Sequence, residues 1–254
     1  MSGGRAGGDW FPFRVPQDGA SITLVCLPHA GAGASMFWSW AQLMPGDVEV
    51  LAVQYPGRED RLDEPAITDM PQLVGSVADA LAGRLDRPYA VFGHSLGALI
   101  GYELALELRH RGARVPLALM ASGRRAPHLG RDPLPPAERT DQALVERLRR
   151  LDGTSSRVLD RPELLAMMLP ALRADLTMAD GYHWVDAPPL ACPIFPIAGD
   201  RDPHVSAEEL ALWRLHTIAP MPPRMLPGDH FSILADGSLV SEVADLLRAG
   251  VTRL

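Results

Sequence analysis

Tyr89-Ala90-Val91-Phe92-Gly93-His94-Ser95-Leu96-Gly97 is the stretch that decides the fold. Four apolar strand formers run into a Gly-x-Ser-x-Gly turn. From Ala98 to Arg111, the residues Leu99, Tyr102, Leu104, Ala105 and Leu108 then recur as on a half-buried helix, with charges only late. Strand, tight turn and helix are the context in which this pentapeptide acts as a nucleophile elbow. The bare motif arises often by chance, and a Gly-Ser turn feeding an ordinary helix is the plain alternative. The two flanks select the catalytic reading. Such a turn strains the serine backbone, and its glycines remove the Cβ atoms that would collide with neighbouring chain. The hydroxyl then stands at a helix N-terminus, where backbone N–H groups favour developing negative charge. Ser95 is the candidate nucleophile.

A serine needs a base, and the base an acid to orient it. In hydrolases built on such an elbow the chain order is Ser, then Asp or Glu, then His. Of eight histidines, His183, His204, His216 and His230 lie far enough downstream. His230 sits in Pro227-Gly228-Asp229-His230-Phe231, a turn after the short apolar run Met225-Leu226 and before a final helix. That is a loop at a strand's carboxyl end, and His230 is the candidate base. His216 falls in a helical stretch and His183 among aromatic residues, so both read as structural. The acid comes from Gly199-Asp200-Arg201-Asp202-Pro203, after the apolar run Cys192 to Ala198. Asp202 is favoured, one step beyond the turn, with Asp200 capping the turn's amides; the choice between them stays open. The earlier acid position, after Leu117 to Ala121, holds Ser122-Gly123-Arg124 and offers no carboxylate.

An oxyanion hole requires two backbone N–H groups. One is that of Leu96, the residue after the serine. The strand pattern Ile22 to Leu27 leads into Pro28-His29-Ala30-Gly31-Ala32-Gly33, whose small residues allow close backbone approach, and Ala30 is the candidate second donor.

Strands near Ile22–Leu27, Val48–Val53, Tyr89–Phe92, Leu117–Ala121, Pro193–Ala198 and Arg224–Leu226 alternate with helices near Ser35–Leu43, Met70–Leu85, Leu96–Arg111, Ala207–Thr217 and Ser238–Ala249. This alternation predicts an α/β fold whose mostly parallel sheet is covered by helices on both faces. The rhythm breaks between about 124 and 191. Helical segments from Asp141 to Leu151 and Pro162 to Tyr182 there predict a lid insertion within a single domain spanning 1–254.

The chain resembles the stand-alone type II thioesterases that accompany polyketide and nonribosomal peptide synthases, members of the α/β-hydrolase superfamily. The resemblance runs from about Ile22 to the last helix. It rests on Leu27-Pro28-His29-Ala30-Gly31-Ala32-Gly33, on Val53-Gln54-Tyr55-Pro56-Gly57-Arg58-Glu59-Asp60-Arg61, and on Phe92-Gly93-His94-Ser95-Leu96-Gly97-Ala98. Leu164 to Asp175 and Gly228-Asp229-His230-Phe231 add to it. The Tyr-Pro-Gly-Arg segment is the most specific of these, since general esterases lack it. The resemblance implies hydrolysis of acyl groups from the phosphopantetheine arm of acyl or peptidyl carrier proteins. The arm belongs to the substrate, so no cofactor or metal of the enzyme's own is expected. It also implies an acid after the late strand, in agreement with the position read above.

The lid's second half is soft and apolar, and Met167, Met168 and Leu172 are the candidates to line an acyl chamber. Arg109, Arg111, Arg114, Arg124, Arg125 and Arg131 are candidates for a cationic docking surface. Arg58 and Arg61 are expected to brace their own turn by pairing with Glu59, Asp60 or Asp63. A net charge of −7 argues against general nucleic-acid affinity. No run approaches a membrane span, and Met1 to Gly8 lacks the apolar core of a signal peptide, so residues 1–14 are expected as a frayed tail. Cys26 and Cys192 read as core thiols of a cytoplasmic monomer. Two other function classes remain open: a serine esterase or acyltransferase on small esters, and a non-catalytic partner of carrier domains.

Overall fold

Six strands, β1 (Ile22–Leu27), β2 (Val48–Ala52), β3 (Tyr89–His94), β4 (Leu119–Ser122), β5 (Ile194–Gly199) and β6 (Arg224–Leu226), form one sheet in the order β2-β1-β3-β4-β5-β6. Every pairing is parallel. The computed structural model describes residues 8–13, 19–130, 135–150, 160–235 and 237–251. Parallel strands need crossover connections. These carry helices α1 (Trp38–Leu43), α2 (Met70–Leu81), α3 (Leu96–His110), α4 (Asp141–Arg150), α5 (Pro162–Asp180) and α6 (Ala207–Ala211), while α7 (Ser232–Ala235) and α8 (Gly237–Val251) follow β6.

Strand side chains alternate between faces, and the two faces have separate cores. Val25, Leu27, Val91 and Leu119 pack with α2 and α3. Leu24, Cys26, Phe92 and Met120 pack with Trp40 of α1 and with Val240 and Val243 of α8. Cys26 and Cys192 are both free and buried, and they belong to opposite cores. Pro196 lies inside β5 opposite Ala121, and β6 joins β5 only from Ile197 onward.

The N-terminal stretch departs from the expected tail. Residues 1–7 and 14 lie outside the described residues, but Phe11 is buried. The Trp10 carbonyl accepts the Gln54 amide at 2.8 Å, and the Arg61 guanidinium lies 4.2 Å from the Trp10 ring centroid. Two adjacent aromatic residues give this segment enough surface to bury. Helix α2 is shorter than its apolar pattern predicts, ending before Gly83, whose φ of 71° leaves the helical region.

In this strand order, β1 and β3 are neighbours whose following connections diverge, to β2 on one side and to β4 on the other. Ligands of open parallel sheets bind at the carboxyl ends of strands flanking such a switch point. The loop after β1 and the turn after β3 meet there.

Candidate active site

Ser95 takes φ 54° and ψ −113° between β3 and α3, a conformation strained for any residue with a side chain. A Cβ on Gly93 would stand 2.1 Å from the Gly97 carbonyl oxygen, and one on Gly97 would stand 2.1 Å from the Leu27 carbonyl oxygen. The turn closes only with glycine at both positions. The second approach also presses the first turn of α3 against the end of β1. Leu96 opens α3, so its N–H is among the amides a helix leaves without an intrahelical partner. The loop carrying Ala30 continues directly from the β1 end that Gly97 touches.

His230 and Asp202 meet across the two late loops. His230 Nδ1 donates to Asp202 Oδ2 at 2.7 Å, and the His204 amide donates to Asp202 Oδ1 at 2.8 Å. The Asp202 side chain is wholly buried, whereas that of Asp200 is 49% exposed. Asp200 Oδ1 accepts the Gly228 amide at 2.9 Å and so braces the loop that carries His230. The His230 ring lies 4.8 Å from that of His94, the residue preceding Ser95.

Two further rings complete this wall. His29 lies 4.8 Å from Phe231, and its Nδ1 donates to the Ala30 carbonyl at 3.0 Å. Burial pushes His29 down to about 4 and His94 well below the usual imidazole range, so both rings are neutral near pH 7. Gly123 makes room for them. A Cβ there would stand 2.7 Å from His94 Cε1 and 3.1 Å from His230 Cε1, and its φ of 61° also favours glycine.

The match of sequence to known proteins agrees with this geometry. Residues 22–249 fit the family model described as a thioesterase domain. The chain belongs to the thioesterase family. This thioesterase is 42% identical over 229 residues to thioesterase PikA5 of Streptomyces venezuelae, covering 88% of its own length and 80% of that protein. It is 37% identical over 227 residues to the gramicidin S biosynthesis protein GrsT of Aneurinibacillus migulanus, covering 87% of each chain. Among solved structures, it superimposes with a TM-score of 0.83 on the type II thioesterase BorB from the borrelidin biosynthetic cluster. The two are 36% identical, with 91% of this chain and 95% of that one covered.

In this thioesterase a cavity of about 390 Å³ runs along the loop 29–33, beneath α5. Met167, Met168 and Leu172 line it together with Ala30 and Leu164, so the three residues singled out in the sequence face one space. Leu172 is buried, while Met167 remains 48% exposed.

Two sequence expectations are corrected. Arg58 and Arg61 do not pair with Glu59, Asp60 or Asp63. Arg58 reaches Asp175 on α5, and Arg61 binds Glu64 through two hydrogen bonds of 2.8 and 2.6 Å. Glu59 instead takes a φ of 48° and accepts the Ser35 hydroxyl at 2.5 Å. His183 is exposed, and the aromatic cluster nearby is built by His128, His216, Trp184 and Tyr102. Three of the candidate docking arginines have partners within the chain. Arg109 donates to the Pro188 carbonyl, Arg111 pairs with Asp79 and Glu107, and Arg125 pairs with Glu209. Arg131 lies outside the described residues.

Proposed function

We propose that this thioesterase hydrolyses acyl thioesters held on the phosphopantetheine arm of carrier proteins, through a triad of Ser95, His230 and Asp202. The observation that carries this reading is the buried His230–Asp202 hydrogen bond of 2.7 Å beside a strained serine turn. Asp202 fixes the tautomer with the proton on Nδ1 and leaves Nε2 as the base. Ser95 Oγ attacks the thioester carbon as His230 takes its proton. The oxyanion forms towards the amides of Leu96 and Ala30. The carbon–sulfur bond breaks, His230 returns the proton to the departing thiol, and the acyl group stays as an ester on Ser95. Water then repeats the sequence with His230 as base, releasing a free acid and restoring the serine.

The names of the relatives point to the substrate. BorB comes from a borrelidin biosynthetic cluster and GrsT from gramicidin S biosynthesis, so acyl and peptidyl carrier domains of polyketide or nonribosomal peptide synthases are the partners that fit. The apolar cavity bordered by adaptable methionines suits an enzyme that clears stalled or incorrect acyl groups of varied shape. The two free thiols suit a reducing compartment, and we place the enzyme in the cytoplasm. No helix among the described residues is long and apolar enough to cross a membrane.

Mass spectrometry of carrier proteins loaded with acetyl, propionyl and longer acyl groups tests this proposal. Exposure to the enzyme is expected to convert each to the free-thiol carrier. Intact acyl-carriers alongside rapid cleavage of aryl esters would assign a general esterase instead. Carrier binding with no turnover of either would assign a non-catalytic partner.

A further inference from the structure

The segment Gln54 to Arg61 carries no group of the proposed triad, yet its side chains converge on the loop that holds Ala30. Gln54 Oε1 accepts the Ala34 amide at 2.9 Å, and Gln54 Nε2 donates to the Arg58 carbonyl at 3.0 Å. Arg58 then projects beneath the loop. Its Nη1 donates to Asp175 Oδ2 at 2.6 Å, its Nη2 donates to Asp175 Oδ1 at 3.0 Å, and Nη1 also reaches the Ala32 carbonyl at 3.3 Å. The pair is buried, with side-chain exposures of 5% and 1%.

Asp175 belongs to α5 of the lid, and it makes one more contact. The Gly31 amide donates to Asp175 Oδ2 at 2.7 Å. The same peptide unit is held from its other end, because His29 Nδ1 donates to the Ala30 carbonyl at 3.0 Å. A peptide is planar, so fixing its C=O and its N–H together fixes its orientation. Fixing the 30–31 peptide also fixes the Ala30 Cα, one end of the residue that carries the donor. It thereby restricts the direction of the Ala30 N–H, the donor assigned to the oxyanion hole.

We propose that Asp175, clamped by Arg58, is a positioning residue that aims the Ala30 amide at the oxyanion, so that docking of lid helix α5 and assembly of the oxyanion hole are one event. This inference rests on the proposed serine mechanism. A carboxylate that spans a guanidinium and a backbone amide is held at both oxygens, which is the geometry of a fixed support. Pairing also satisfies the guanidinium, which could not otherwise be buried without large cost. When α5 lifts, the Gly31 amide and Arg58 lose the same partner together. The site would then bind an acyl group without stabilising its tetrahedral intermediate.

Inhibitor pairs separate this role from a merely structural one. An alkyl boronic acid forms a tetrahedral adduct on the serine and uses the oxyanion hole. A pantetheine thioether bearing the same alkyl group resembles the ground state and does not. In Asp175→Asn, kcat is expected to fall about 10²-fold and boronate affinity to fall in parallel, the size of effect expected for loss of one oxyanion donor. KM and thioether affinity are expected to stay within about threefold. Arg58→Lys keeps the buried positive charge but loses the two-pronged grip, and it is expected to show the same pattern at about tenfold. It also serves as the test if Asp175→Asn does not fold. Equal weakening of boronate and thioether would overturn the inference, as would a folded variant with unchanged kcat. Ser95→Ala keeps the two proposals distinguishable. If that variant still turns over, the serine mechanism itself fails. If it is inactive while Asp175→Asn and Arg58→Lys are unaffected, only the positioning role fails.

Discussion

Asp202 is bound at both carboxylate oxygens, Oδ2 by His230 Nδ1 at 2.7 Å and Oδ1 by the His204 amide at 2.8 Å. The second bond matters because it leaves the carboxylate one orientation, and the imidazole inherits that orientation. Asp200 sits two residues away and is bound differently, through Oδ1 to the Gly228 amide and to Arg201 Nη1 at 3.4 Å.

These two environments predict opposite outcomes for the same substitution. Asp202→Asn is expected to lower kcat on the order of 10⁴-fold, because an amide in this position favours the wrong imidazole tautomer. Asp200→Asn is expected to cost less than about tenfold and to act through the 228–230 loop. Steady-state kinetics of the two variants on one acyl-carrier decides the ranking, and the reverse ranking would transfer the role to Asp200.

Gly123→Ala tests the histidine wall from behind. The added methyl meets His94 Cε1 at 2.7 Å and His230 Cε1 at 3.1 Å, at a φ unfavourable to alanine. A positive φ costs a non-glycine residue on the order of 1 kcal/mol, and displacement of the base costs more in rate than in stability. The expected result is a folded protein with kcat reduced by at least about tenfold. Wild-type kcat would show that His230 does not depend on that space.

Stability is expected to fall on acidification before the carboxylates titrate. Burial holds His29 and His216 at about 4, and holds His94 well below the usual imidazole range. His216 is further depressed by His128, whose Nδ1 lies 2.7 Å from His216 Nε2. Above about pH 6.5 these groups are neutral in both folded and unfolded chains. As the pH falls below about 6.5 the unfolded chain takes up these protons before the folded chain does, so each group contributes a loss of stability on acidification. Urea unfolding at pH 7.5, 6.5 and 5.5 is expected to show a level stretch and then a decline. Equal stability at the last two would contradict the burial account.

Selectivity is expected to be shallow. Met167, Met168 and Leu172 border an apolar cavity, and each methylene in such a space discriminates by about 1–3 kcal/mol. Acetyl and propionyl carriers are therefore both expected to be hydrolysed, and faster than the same acyl groups on small thiols, because docking adds remote binding energy. Malonyl groups are expected to be poor substrates. Arg58 borders the cavity, but its guanidinium is already committed to Asp175. A malonyl carboxylate entering there loses water without gaining a partner. Competition assays with mixed acyl-carriers measure these ratios, and efficient malonyl release would contradict the assignment.

The sheet was legible because its strands are short apolar runs bounded by turn residues, and β1 and β6 have the ends read from sequence. Strand β3 runs on to His94, because the elbow turn begins only at Ser95. Ser95, Asp202 and His230 follow the ends of β3, β5 and β6, the strands the sequence reading placed before them. Pairs fixed only by tertiary packing left no such trace. Arg58 and Asp175 are 117 residues apart, and nothing periodic links them. Asp175 entered the sequence reading only as the last residue of the Leu164 to Asp175 resemblance, and nothing in the helical pattern around it named a partner. Gly123 appeared as the absence of an acid, when its role is to leave space for two imidazoles.

The central claim is that Ser95 carries the acyl group. Peptide mapping by mass spectrometry after incubation with a fluorophosphonate probe tests it most directly. The account predicts one adduct, on the peptide containing Ser95. Both the adduct and acyl-carrier hydrolysis are expected to be lost in Ser95→Ala, while the fold is kept. An adduct on another residue, or substantial hydrolysis by Ser95→Ala, would contradict it.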